Sequence, residues 1–116
     1  MNIYRTHNCG ELTKEDVGKK VKIAGWIQTS RNLGGLLFVD LRDQYGITQA
    51  VFTVESGLIE ETSKIPTEST VSIEGKVELR QDINPNMKTG EIEIIAENIV
   101  ILGKRTNEMP FEINSD

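Results

Sequence analysis

The chain has 116 residues, enough for one domain with a single modest core. Its 37% hydrophobic and 27% charged content fits a soluble globular protein rather than a disordered one, and no apolar run nears the roughly 18 residues of a membrane span. A net charge of −5 argues against a protein that grips many phosphates, but leaves room for one that reads a few unstacked bases.

The first twelve residues, MNIYRTHNCGEL, carry no signal-peptide stretch and no clear period, so they are expected to lie across the body of the domain. They hold the only cysteine, Cys9, and the only histidine, His7, neither with the partners a metal site needs. A lone cysteine excludes an internal disulfide and makes the cytoplasm the expected compartment. Thr13, with Asp16 three residues on, predicts a single capped helical turn stopped by Gly18. Lys20 to Thr29 then alternates Val21, Ile23, Gly25 and Ile27 against Lys22, Ala24, Trp26 and Gln28, a half-buried strand. Gly25 inside it marks a bend or a close backbone approach, as a small curled barrel requires.

A short polar loop is expected over Thr29 to Gly35, followed by a strand to Asp43. On that strand Leu37, Val39 and Leu41 alternate with Leu36, Phe38, Asp40 and Arg42. If the first set faces the core, Phe38 lies outside, where a large ring asks for something flat to stack on it. An offset register would instead bury Phe38. Asp43 to Gly46 is a tight turn into a third strand, Ile47 to Val54, whose more apolar face is Thr48, Ala50, Phe52 and Val54; this leaves Gln49 beside Phe38 on the outer surface.

Leu58, Ile59 and Ile65 fit a short helix before Pro66, and Ser69 to Arg80 is a cleanly alternating strand with Val71, Ile73, Gly75, Val77 and Leu79 inward. Gln81 to Gly90 is a polar loop, and the last strand runs from Glu91 to about Leu102 with a phase shift near Asn98. The expected fold is therefore all-β, a five-stranded Greek-key barrel of the oligonucleotide-binding (OB) type with a short helix between strands 3 and 4, an SH3-like barrel being the nearest rival. Residues 1–103 make the domain and 104–116 a linker. In this fold the second and third strands form the usual ligand face, which carries Phe38, Arg42 and Gln49. The bases Lys19, Lys20, Lys22, Arg31 and Arg42 sit in the first half, so a nucleic-acid face belongs there.

No catalytic constellation is present: no nucleophile elbow, phosphate loop or zinc-binding HExxH. Glutamate pairs such as Glu91 with Glu93 fit a solvated face, and Arg42 beside Asp43 is either a ligand contact or a structural ion pair. Three stretches, YRTHNCGEL, VKIAGWIQTSRNLGGLLFVDLRDQYGITQAVF and NPNMKTGEIEI, resemble the N-terminal anticodon-binding domain of bacterial aspartyl-tRNA synthetases. The resemblance spans nearly the whole chain. A looser WIxxxRxxGxxxFxxLRD core is shared with the asparaginyl and lysyl enzymes of the same class II subclass.

The resemblance implies a homodimeric parent ligase that uses ATP and magnesium to esterify aspartate to tRNA. This chain shows none of the three class II catalytic motifs, so it is expected to bind tRNA without catalysis, with no cofactor of its own. The resemblance further implies that Phe38 stacks on the middle anticodon base, a uracil, and that Gln49 hydrogen-bonds its edge while Arg31 reaches the same region. Glu93 reads the first base, a guanine, whose Watson–Crick donors suit a carboxylate. The loop with Asp82 and Asn84 approaches the third, a cytosine. The chain departs from the family at Gln28, Thr29 and Ser30, where arginines are frequent, at Asn32, where an aspartate is, and at Asp82, where an asparagine is usual. Two other classes fit the fold: a stand-alone single-strand-binding barrel, which would be basic and richer in aromatics, and a protein-interaction barrel with Phe38 and Leu36 as its hot spot.

Overall fold

The computed structural model describes residues 5–80 and 90–103. Five strands, β1 (Lys20–Leu33), β2 (Leu36–Asp43), β3 (Gly46–Thr53), β4 (Thr70–Leu79) and β5 (Ile92–Gly103), close into a barrel in the order β1-β2-β3-β5-β4. The β1–β2, β2–β3, β1–β4 and β4–β5 pairs are antiparallel, and β3 runs parallel to β5. A 3₁₀ turn, Val54–Ser56, and the helix α1, Ile59–Ser63, carry the chain from β3 to β4. This is the predicted Greek-key barrel with its helix in the predicted place.

The alternation of β2 sets the register. Leu37, Val39 and Leu41 are buried, whereas Leu36, Phe38, Asp40 and Arg42 point outward. Phe38 is half-buried on the outer face, and the ring that fills the core is Phe52. With Ile23, Ile27, Leu41, Ile73, Ile92 and Ile94 it forms one hydrophobic cluster inside the barrel.

Two glycines let the barrel close. A Cβ on Gly25 would run into the carbonyl oxygen of Arg42, and one on Gly75 into that of Ile95, so both mark places where backbones press together. A register shift between Ile27 and Thr29 tightens the bend of β1, and a second between Glu74 and Gly75 in the β4–β5 pairing accounts for the phase shift seen near Asn98.

Several expectations need correction, among them the inward place given to Val54, which lies past the end of β3 and is exposed. The polar loop over Thr29 to Gly35 is absent; β1 continues to Leu33 and turns on Gly34 and Gly35, at φ 56° and 89°. Two glycines at positive φ make a two-residue hairpin turn, and Thr29 to Asn32 are polar because that arm of the hairpin is exposed. Leu79 is not in the core but 54% exposed. The β1–β4 pairing stops at Lys20 and Lys76, so the end of β4 projects past the closed barrel. Of the two alternatives left open for Arg42, the ion pair with Asp43 does not form: its Nε donates to Gln28 Oε1, while Asp43 bonds elsewhere.

Asp43 ties down the N-terminal segment. Its Oδ2 accepts the Cys9 N–H at 2.8 Å and meets the Arg5 guanidinium at 3.6 Å, and its Oδ1 accepts the N–H groups of Tyr45 (2.8 Å) and Gly46 (3.1 Å). Thr48 Oγ1 donates to the Cys9 carbonyl at 2.7 Å, and Thr6 N–H bonds Lys22 across the surface at 2.6 Å. Cys9 and Leu12 are thereby buried, and the segment lies across the barrel as predicted. Burial, reinforced by the nearby Asp43 carboxylate, pushes the Cys9 thiol far up, so it is an inert packing residue. Thr13 and Asp16 form the capping box of a 3₁₀ turn, Lys14–Asp16, and the Asp16 carboxylate, accepting from the Thr13 N–H and from the Lys19 ammonium, is held below the usual range.

Candidate nucleic-acid interface

The outward residues of β1, β2, β3 and β5 fall into rows set by the pairing register. Arg31 on β1 lies opposite Phe38 on β2, which lies opposite Val51 on β3 and, through the parallel pair, Ile95 on β5. In the next row Thr29 lies opposite Asp40 and Asp40 opposite Gln49, with Glu93 beyond. These rows floor a groove of about 490 Å³ whose walls include Arg31, Phe38, Gln49, Arg80 and Glu93, with Leu33, Leu36 and Leu79 at its apolar rim.

Within the groove the contacts are specific. The Arg31 guanidinium carbon stands 5.7 Å from the Phe38 ring centroid, a cation–π pair that brings a positive charge over the ring. Gln49 is 4% exposed, and its Nε2 donates to Glu93 Oε1 at 2.9 Å. Asp40 is drawn toward β1, where Thr29 Oγ1 donates to its Oδ2 at 2.7 Å. Burial raises the Glu93 carboxyl above the ordinary glutamate value of 4.5; the Gln49 hydrogen bond and the Arg80 charge oppose that rise, and Glu78 adds to it.

Four of the predicted site residues, Arg31, Phe38, Gln49 and Glu93, therefore meet in one place, although they come from four strands. Asp82 and Asn84 lie outside the described residues. Arg42 sits one row beyond, opposite Trp26, and does not line the groove. Arg80 was missed as a site residue. Spacing along the chain did not mark it, because it reaches the groove only through the pairing of β4 with β5; it directly follows β4, and its backbone N–H donates to the Glu91 carbonyl at 2.9 Å beside Glu93.

A larger depression of about 730 Å³ lies beside α1, lined by Glu60, Glu61, Lys64 and Ile101 among others. Two carboxylates to one ammonium repel a polyanion, and no aromatic ring is present to stack a base, so volume is a poor guide here. The β2–β3 groove offers what an unstacked base uses: a flat half-exposed ring, a guanidinium, and an amide and a carboxylate with free lone pairs.

The family model for an OB-fold nucleic acid binding domain matches residues 21–102. The chain belongs to the OB-fold nucleic-acid-binding domain family. Among relatives of this OB domain, an aspartate–tRNA(Asp/Asn) ligase of Thermotoga neapolitana is 51% identical over 114 residues, covering 97% of this chain and 20% of the relative. An aspartate–tRNA ligase of Streptomyces avermitilis is 45% identical over 118 residues, covering 100% of the chain and 20% of the relative. The OB domain thus spans about a fifth of the length of the curated relatives it matches. The crystal structure of an asparaginyl-tRNA synthetase from Pyrococcus horikoshii, complexed with asparaginyl-adenylate, superposes with a TM-score of 0.73 at 30% identity, covering 86% of this chain and 23% of that one. An aspartyl-tRNA synthetase from Entamoeba histolytica, 23% identical over 95% of this chain and 24% of its own, shares the fold with a TM-score of 0.80. No helix among the described residues is long and apolar enough to cross a membrane.

Proposed function

We propose that this OB domain reads the anticodon of aspartate tRNA on behalf of a class II aspartate–tRNA ligase. The reading places the middle uracil on Phe38 with Gln49 and Arg31 at its edge, the first-position guanine on Glu93, and the third-position cytosine near Asp82 and Asn84. Catalysis belongs to the rest of such an enzyme, a cytoplasmic homodimer using ATP and magnesium; the OB domain contributes binding alone.

One observation carries the reading: a half-exposed phenylalanine, flanked by an arginine and facing an amide–carboxylate pair, in a groove on the strands where OB barrels take their ligands. A ring so placed suits base stacking, and the polar groups beside it suit Watson–Crick edges. Names of the relatives, all aspartate–tRNA ligases, supply the tRNA. The test is a titration of the 116-residue chain with unmodified stem-loops. A loop bearing the aspartate anticodon is expected to bind at least about tenfold more tightly than the same stem with the three bases scrambled, the scale of one good base contact. Equal affinity for the two would contradict base reading. The asparagine anticodon, which differs only at the third base, then measures what Asp82 and Asn84 contribute.

A further inference from the structure

We propose that Glu93, besides its own contact with the first base, fixes which way round the Gln49 amide faces and so makes the groove select uracil over cytosine at the middle position. The inference rests on the reading above, in which the middle base stacks on Phe38. A glutamine amide is nearly the same shape either way round, but one end only donates and the other only accepts. An unrestrained amide at this position could turn to suit either pyrimidine.

Gln49 is restrained. Its Nε2 donates to Glu93 Oε1 at 2.9 Å, and its side chain is almost wholly enclosed, at 4% exposure. An ionised carboxylate accepts hydrogen bonds and offers none. The flipped amide would press Oε1 against Glu93 Oε1, two acceptors with little water between them, which is costly in an enclosed site. Asp40, opposite Gln49 on β2, is drawn away toward β1, where its Oδ2 accepts from Thr29, so the partner of the Gln49 amide is Glu93. The Gln49 oxygen is therefore held as a fixed acceptor on the side away from Glu93.

The two pyrimidines differ at the atom this fixes. Uracil carries an N3–H donor between two carbonyl acceptors, whereas cytosine carries a bare N3 acceptor beside an amino group. A fixed amide acceptor meets the uracil N3–H and faces the lone pair of cytosine N3. Glu93 keeps a second oxygen for the first base, so the two roles are compatible. In this role Glu93 is a positioning residue acting through Gln49.

The test is competitive binding of the 116-residue chain to two stem-loops that both keep guanine first and differ only in uracil or cytosine at the middle. Any direct Glu93–guanine contact then cancels from the ratio. Glu93→Gln replaces the carboxylate with an amide that can meet Gln49 with either its oxygen or its nitrogen, so both orientations become available. The wild-type chain is expected to prefer uracil, and Glu93→Gln to lower that preference on the order of tenfold with an unchanged thermal melt. In a Gln49→Ala background the Glu93→Gln change is expected to leave the ratio alone. Glu93→Ala, which also frees the amide, gives the same answer should the first variant fold poorly. A folded Glu93 variant that keeps the wild-type uracil-to-cytosine ratio overturns the proposal while leaving Phe38 stacking intact. A wild-type chain that binds both loops equally overturns the anticodon reading and this proposal with it.

Discussion

Phe38 is where two accounts of the same residue type diverge. Phe52, on β3, is fully buried, and truncating it to alanine would open a core cavity costing about 3–5 kcal/mol. Phe38, half-buried on the outer face against Arg31, supports little of the core. Phe38→Ala is expected to leave the thermal melt close to wild type and to cost about 1–3 kcal/mol of stem-loop binding, the worth of one base–aromatic stack. A collapsed melt, or normal binding by the folded variant, would contradict the role. Glu93 supplies a second residue-scale test. Its raised pKa means the charged form is disfavoured by folding, so Glu93 detracts from stability at neutral pH and that loss is relieved as pH falls through the raised value. Guanine needs the charged acceptor. Affinity for a guanine-first loop is therefore expected to start falling at a pH above that of an ordinary glutamate, with the Glu93→Gln variant flat over the same range. The outward position of Phe38 was legible from the Leu37, Val39, Leu41 alternation. The Gln49–Glu93 bond and the presence of Arg80 were not, because each depends on which strands become neighbours rather than on spacing along the chain.

At the scale of the element, β1 shows why strand periodicity reads well and strand ends do not. Val21, Ile23 and Ile27 are buried as their alternation requires. The exposed arm from Thr29 to Leu33 has no buried face to impose a period, so its polar residues look like loop although they are paired with β2. Leu79 fails in the opposite sense: its alternation is right, but no β1 partner lies beyond Lys76 to cover it. Gly25 was legible as a bend, and the structure supplies the reason in the Arg42 carbonyl packed where a side chain would sit. Gly25→Ala is expected to force β1 and β2 apart and cost about 1–3 kcal/mol, read as a lower urea midpoint. Gly34→Ala strains only an open hairpin turn, where a Cβ meets nothing, and should cost about 1 kcal/mol through its positive φ alone. Equal costs at the two positions would argue against close strand packing at Gly25. Asp43 belongs to the same scale, since one carboxylate gathers the Cys9, Tyr45 and Gly46 N–H groups and so joins the N-terminal segment to the β2–β3 turn.

For the whole molecule, the proposed RNA binding at a net charge of −5 requires the few useful cations to be well placed. The groove holds Arg31 and Arg80, while Glu60 and Glu61 lie at the separate depression by α1. Topology achieves this sorting. The strand order β1-β2-β3-β5-β4 brings Glu93, far along the chain, next to Gln49. The order itself was legible from five alternating segments and one helix, since few barrels accommodate that sequence of elements. The central claim is that RNA occupies this groove, and a backbone amide NMR titration of the chain with the aspartate anticodon stem-loop tests it most directly. The largest shifts are expected at Arg31, Phe38, Gln49, Val51, Arg80 and Glu93, with Gly57, Glu60 and Lys64 beside α1 unmoved. Shifts centred on the α1 depression, or spread evenly over the barrel, would contradict it.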